Sequence, residues 1–142
     1  MSAVKLLATF AENKIGQLAR ITRVLADLGV NILWVTISST ESFGVIKLLV
    51  DKHSLAYEAL RQHGIAVSQV EVLAIEVEDR PGGLNLVAEC LAGEGINVEN
   101  ASGFVAQRRA VLLIEADDLE RCRRLVRKAN LRQVSAEELL AI

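Results

Sequence analysis

Proline occurs once in this chain, at Pro81, and glycine only nine times in 142 residues. That scarcity excludes a proline-rich or glycine-rich low-complexity chain and leaves no composition suited to a flexible linker. Aromatic residues number five, so any core must be assembled from Leu, Val, Ile and Ala. Trp34 and Phe104 alone fall short of the exposed aromatic platform on which single-stranded nucleic acid stacks. Cys90 and Cys122 form no CxxC and have no neighbouring histidine, which removes the usual zinc and copper-carrier spacings. Positive charge is not in excess: 16 Lys and Arg stand against 18 Asp and Glu, for a net charge of −2. There is thus no basic footprint for a phosphate backbone. The longest uncharged stretch, Leu28 to Thr40, is too short and too polar to span a bilayer. The N-terminus, Met1-Ser2-Ala3-Val4-Lys5, lacks the basic and apolar regions of a signal peptide. These absences predict a cytoplasmic protein with no metal, cofactor, membrane or nucleic-acid partner.

What is present is an internal repeat at an offset of 66 residues. Asn13-Lys14-Ile15-Gly16-Gln17-Leu18 aligns with Asp79-Arg80-Pro81-Gly82-Gly83-Leu84, and Gly29-Val30-Asn31-Ile32 with Gly95-Ile96-Asn97-Val98. Between Val4–Asn31 and Val70–Asn97, ten of 28 positions are identical without a gap, and the register continues to Asp51 and Asp117. Repetition at this length divides the chain into two domains of one fold, expected at residues 1–69 and 70–142. The join at Ser68-Gln69-Val70 has no Pro or Gly, so tight coupling is expected.

In the first repeat, Ala3–Phe10 reads as a strand. Leu18, Ile21, Leu25 and Leu28 then recur at helical spacing, and Gly29 supplies a left-handed stop. Ile32–Ile37 and Val45–Val50 read as strands around a polar turn. A helix capped by Ser54 runs to His63, and Ile65–Ser68 is a short closing strand. The second repeat gives the same order: strand Val70–Val77, helix Leu84–Glu94, strands Val98–Phe104 and Val111–Ala116, helix Asp118–Ala129 and strand Leu131–Val134. Ala136–Leu140 follows as a helical tail. The fold class is therefore α+β, with two tandem ferredoxin-like βαββαβ units, each an antiparallel sheet with helices on one face. Adjacent apolar pairs such as Leu6-Leu7 and Leu48-Leu49 predict that the second sheet face is covered as well. Cys90 and Cys122 align with apolar Val24 and Ala56 and read as small buried hydrophobes. Trp34 reads as a core or interface anchor and Arg108-Arg109 as a solvated turn.

The turn after the first strand of each repeat carries the chemistry. Gly16 or Gly82 permits a sharp reversal, and the following helix points its free N–H groups at whatever lies before the turn. A small carboxylate suits such a place. Asn13 can donate and accept, and so address an ammonium and a carboxylate together, whereas Asp79, accepting only, favours the ammonium. Asn31 and Asn97 begin the next strand beside that turn. The same residues also serve a plain reading, in which glycine permits the turn and asparagine caps the chain reversal.

The pattern Asn/Asp-basic-Ile/Pro-Gly-x-Leu, followed by Gly-Val/Ile-Asn-Ile/Val, resembles the ACT domain, and two such units resemble stand-alone tandem ACT proteins. That resemblance implies a regulatory, non-catalytic module that binds an amino acid or other small metabolite at interfaces between ACT units. It further implies a homodimer or higher homo-oligomer and a possible partner enzyme. The implied ligand-binding residues are Asn13, Lys14, Ile15, Gly16, Gln17, Leu18, Asn31 and Ile32 in the first repeat. In the second they are Asp79, Arg80, Pro81, Gly82, Gly83, Leu84, Asn97 and Val98. Ile15 departs from the preferred Pro and Asp79 from the usual Asn, so the two sites are not equivalent. Glu12-Asn13-Lys14-Ile15-Gly16 also resembles the acetolactate synthase regulatory subunit, whose second half lacks the repeat; a dedicated enzyme subunit is the alternative reading. Acylphosphatase-type catalysis would want an arginine in the phosphate loop beside a catalytic Asn. Arg80 is the one loop arginine, and the residues around it do not resemble that family.

Overall fold

The computed structural model describes residues 3–106 and 108–141, with Ala106 described by its backbone alone. Its elements run β1 (Val4–Glu12), α1 (Gln17–Asp27), β2 (Ile32–Ser39), β3 (Phe43–Val50), α2 (His53–Gln62) and β4 (Ala66–Val77). Then follow α3 (Gly83–Gly93), β5 (Val98–Ala106), β6 (Arg109–Ala116), α4 (Leu119–Lys128), β7 (Arg132–Val134) and α5 (Ala136–Leu140). Both repeats are βαββαβ. Contacts divide the chain into two compact units, Lys5–Val70 in one and Glu71 onward, joined by Val4, in the other.

One strand differs from expectation. Ile65–Ser68 and Val70–Val77 are not separate: β4 runs unbroken for 12 residues, closing the first repeat and opening the second. Ser68-Gln69-Val70 contains nothing that forbids extended backbone, and no glycine or proline interrupts the pairing. In the first repeat the strand order is β2-β3-β1-β4, and in the second β5-β6-β4 with β7 on the other side of β4. Leu7 faces Leu48 across β1 and β3, and Leu73 faces Ile114 across β4 and β6, the same register at the same offset. Even the irregularity repeats, between Ile32 and Trp34 in β2 and between Val98 and Asn100 in β5.

Each unit has its own core. Leu7, Leu48 and Val50 on the first sheet meet Ile21 and Leu25 of α1 and Ala56 and Leu60 of α2. In the second, Leu73, Ile75 and Ile114 meet Val87 and Leu91 of α3 and Cys122, Leu125 and Val126 of α4. Cys122 is fully buried, as its alignment with Ala56 predicts, and burial pushes its thiol pKa up; Cys90 is half-buried against the same core. Residues on the opposite sheet face, among them Leu6, Ala8, Leu49, Val72, Ala74 and Leu113, are buried too. That explains the adjacent apolar pairs in the sequence. Trp34 is half-buried on β2.

The helix ends explain why the connections are short. Gly29, Gly64 and Gly95 each adopt a positive φ of 68°, 74° and 68°, and Asn130 takes the fourth such position at 55°. After each, the chain folds back on the helix, as in Val30 N–H to the Leu25 carbonyl (3.0 Å) and Leu131 N–H to the Val126 carbonyl (3.0 Å). The cap expected from Ser54 is absent: α2 begins earlier, at His53, with Lys52 in the cap position and no side-chain bond. Asp51-Lys52 already turns the chain, which places Ser54 inside the first helical turn.

Candidate ligand-binding site

The turns that precede α1 and α3 are built alike. Gly16 and Gly82 occupy the cap positions at φ 94° and 87°, a left-handed conformation in which a side chain would be strained. Neither helix receives a side-chain cap, whereas Asp118 caps α4 by accepting from Arg121 N–H at 3.0 Å and Ser135 forms a capping box with Glu138 on α5. The first-turn amides of α1 and α3, with the positive ends of their dipoles, therefore face the turns.

Within this common frame the two turns close differently. Asn13 Nδ2 donates to the Thr40 carbonyl at 3.0 Å and its backbone N–H to the Ser42 carbonyl at 3.1 Å, which ties the first turn to the β2–β3 loop. The Asp79 side chain has no amide hydrogen to donate in that way. The second turn instead closes on itself, with Arg80 N–H to the Glu78 carbonyl (2.9 Å) and Gly83 N–H to the Arg80 carbonyl (3.0 Å). Lys14 pairs with Glu12 at 3.5 Å, and Arg80 pairs with Glu78 at the equivalent positions. Both pairs are exposed and hold their side chains more than they stabilise the fold.

Asn31 and Asn97 are held by their backbones. Asn31 N–H donates to Asp51 Oδ1 (2.9 Å) while Asp51 N–H donates to the Asn31 carbonyl (3.1 Å). Asn97 and Asp117 repeat the exchange at 3.2 Å in each direction. The aspartates shared by the repeats thus latch the start of the second strand to the end of the third. The sequence offered a signal for them, identity at the repeat offset, but no role.

Two cavities flank each turn, in equivalent places. In the first repeat, a small one of about 110 Å³ lies between the turn and β2–β3, lined by Asn13, Lys14, Gln17, Leu18 and Ile37 among others. A second, of about 260 Å³, shares Ala11, Glu12, Lys14 and Gln17 with the first and extends to Gly64 and Ile65. In the second repeat the counterparts are larger. An almost wholly apolar groove of about 600 Å³ runs between α3 and β5–β6, with Leu84 and Val98 in its walls. Beside it a charged cavity of about 410 Å³ is lined by Glu76, Asp79, Gly83, Arg108, Arg109 and Arg132. The structure thus brings Asn13, Lys14, Gln17 and Leu18 together at one cavity, and distributes Asp79, Gly83, Leu84 and Val98 over two. Ile15 points wholly into solvent, and Ile32 packs against the first core. Arg80, Pro81 and Gly82 are exposed in their turn, and Asn31, Gly16 and Asn97 are likewise exposed outside these four cavities.

Arg109 is not a solvated turn residue. It opens β6, donates to Glu76 at 3.0 Å and lies 3.5 Å from Glu138, while Arg132 reaches the same two carboxylates at 2.8 and 2.7 Å. Only the third dimension brings β4, β6, β7 and α5 to one point, so sequence spacing gave no hint of it. The Arg109 hydrogen bond, reinforced by Arg132, holds the Glu76 carboxyl below its usual range against the opposing effect of burial. Arg132, with the Ser135 backbone, does the same for Glu138. Carboxyls with lowered folded-state pKa values contribute stability that is complete above the ordinary carboxylate pKa of roughly 4.3 and lost as pH falls through the folded value. Wild-type protein is therefore expected to lose thermal stability below about pH 5 more steeply than Glu76→Gln does. Melting curves across the acid range test this, and parallel curves would rule it out.

Among the described residues there is no cluster of three or more His, Cys, Asp or Glu able to hold a metal ion, and no helix long and apolar enough to cross a membrane. His53 bonds Gln69 through Nε2 (2.9 Å), and His63 bonds the Ala59 carbonyl through Nδ1 (2.8 Å), each a separate local contact.

No curated protein matches the chain. Among solved structures it is similar to protein BT0572 from Bacteroides thetaiotaomicron, at 28% identity and a TM-score of 0.93 over 99% of this chain and 97% of that one. The regulatory subunit of aspartate kinase from Thermus thermophilus, in a ligand-free form, shares the fold at 18% identity and a TM-score of 0.60, covering 91% of this chain and 93% of that one. Aspartokinase III of E. coli, in complex with aspartate and ADP, shares it at 17% identity and a TM-score of 0.56, over 88% of this chain and 30% of that one. The model of the ACT domain pair matches residues 2–142, spanning both βαββαβ units and their glycine turns, and the chain belongs to that family.

Proposed function

We propose that this ACT domain pair is a cytoplasmic, non-catalytic regulatory protein that binds an amino acid at the turns before α1 and α3. The observation that carries the reading is the pair of glycine turns, each aiming an uncapped helix N-terminus beside a cavity. A carboxylate would take the helix amides, and an ammonium would take Asp79 in the second repeat or the Asn13 side-chain oxygen in the first. Acting as a homodimer or larger assembly, the protein would convert binding into a signal because ligand stabilises one packing over another. A separate enzyme is the proposed target of that signal.

A thermal-shift series over the twenty amino acids tests this. A ligand at 100 times its Kd adds about 2.7 kcal/mol and raises the midpoint by roughly 5–10 °C. The expected result is a clear shift with an amino acid, reduced by Asn13→Ala or Asp79→Ala. A flat series would reject autonomous binding and favour a subunit whose main affinity is for an enzyme.

A further inference from the structure

The apolar groove of the second repeat has a local cause. In the first repeat β2 places Val35 and Ile37 at positions where β5 has Ala101 and Gly103, and the corresponding cavity is about 110 Å³ instead of 600 Å³. Ile37 lines the small cavity, whereas Ala101 and Gly103 line the groove. Removing two β-branched side chains from one edge strand opens space that the facing helix does not refill. The helix residues there, Leu84 and Val87, are as apolar as their counterparts Leu18 and Ile21. The groove is therefore an apolar space without a polar lining beyond Ser102, of a size usual for small-molecule sites.

The groove adjoins a place for a charged head. Val77, Val87 and Ala110 line both it and the charged cavity that contains Asp79. A molecule with its ammonium at Asp79 and its carboxylate at the α3 amides could thus extend an apolar tail past these three residues into the groove. Building on the amino-acid reading above, we propose that the second repeat selects an amino acid with a large apolar side chain, of the size of leucine, methionine or phenylalanine. The first repeat, whose smaller cavity is lined by Ile37 where the second has Gly103, does not accept that side chain.

Gly103 makes the proposal testable. A Cβ there meets the Val111 carbonyl at 3.6 Å and Leu112 Cδ1 at 3.9 Å, ordinary contacts, so a side chain can be introduced without backbone strain. Calorimetric titration of wild type, Gly103→Ile and Ala101→Val with leucine, methionine, phenylalanine, alanine, serine and aspartate is the experiment, with far-UV circular dichroism confirming that each variant is folded. Wild type is expected to bind the best large apolar amino acid about 50-fold tighter than alanine, since burial of three or four carbons separates them. Gly103→Ile should lose at least tenfold of that preference, and Ala101→Val should lose a smaller part should Gly103→Ile fail to fold. Binding of aspartate or serine in preference to leucine would overturn the proposal while leaving the amino-acid reading intact. So would a preference for leucine that both folded variants retain. No binding of any amino acid would overturn both.

Discussion

Gly83→Ala is expected to destabilise the second repeat by about 3 kcal/mol, lowering the melting midpoint by roughly 10 °C for a chain of this length. Gly83 is the first residue of α3, buried, with its N–H bonded to the Arg80 carbonyl. A Cβ at this position would lie 2.0 Å from the Glu78 carbonyl oxygen and 3.0 Å from its carbon. Both atoms are backbone, and the same oxygen already accepts from Arg80 N–H, so neither can swing away as a flexible side chain would. Relief requires the turn or the start of α3 to move, and with it Asp79 and the helix amides. The neighbouring Gly82→Ala should cost less, about 1–2 kcal/mol, because its Cβ would meet open space and only the positive φ resists. At the equivalent position of the first repeat, Gln17 already carries a side chain, so Gln17→Ala should change the midpoint little. Thermal unfolding of the three variants side by side decides the matter. A Gly83→Ala midpoint within about 2 °C of wild type would show that the turn yields freely, and would weaken any claim that it is preorganised for a ligand.

Leu48→Ala is the second large effect, expected to cost about 3–4 kcal/mol in the first repeat. Leu48 is fully buried on β3, between Leu7 of β1 and Val35 of β2 in register, and it packs into the core formed with α1 and α2. Its neighbours lie on rigid strands, so the space left behind cannot easily collapse. Each unit is small, and a core of this size has few other residues to share the loss. Chemical denaturation should show the lower midpoint, with near-wild-type binding by the second repeat at temperatures where the variant remains folded. A loss below about 1 kcal/mol would mean that the first core repacks, contrary to its geometry.

Particular residues show what each level of information supplied. The repeat offset, the helix stop at Gly29 with Gly95 aligned to it, the turn glycines Gly16 and Gly82 and the order of elements were all legible in the sequence. Positive φ, helical periodicity and β-branched runs are local properties, encoded by residues within a few positions of where they act. Duplication strengthened them, since each signal occurs twice in register. The continuity of β4 through Ser68-Gln69 was not legible, because pairing partners elsewhere in the chain decide whether a permissive segment stays extended. The Arg109 and Arg132 network at Glu76 and Glu138 escaped for the same reason: its members are far apart in sequence and meet only when strands and tail assemble. Asn13, readable as a candidate ligand contact, proved to be tied to Thr40, a bond that depends on where the β2–β3 loop lies. The sequence by itself therefore determined the family, the two turns and the amino acids that line them. Tertiary structure alone decided that the second turn closes against the Glu78 carbonyl and opens beside a groove, because cavity shape is set by the sizes of side chains on separate elements and not by any residue's local conformation.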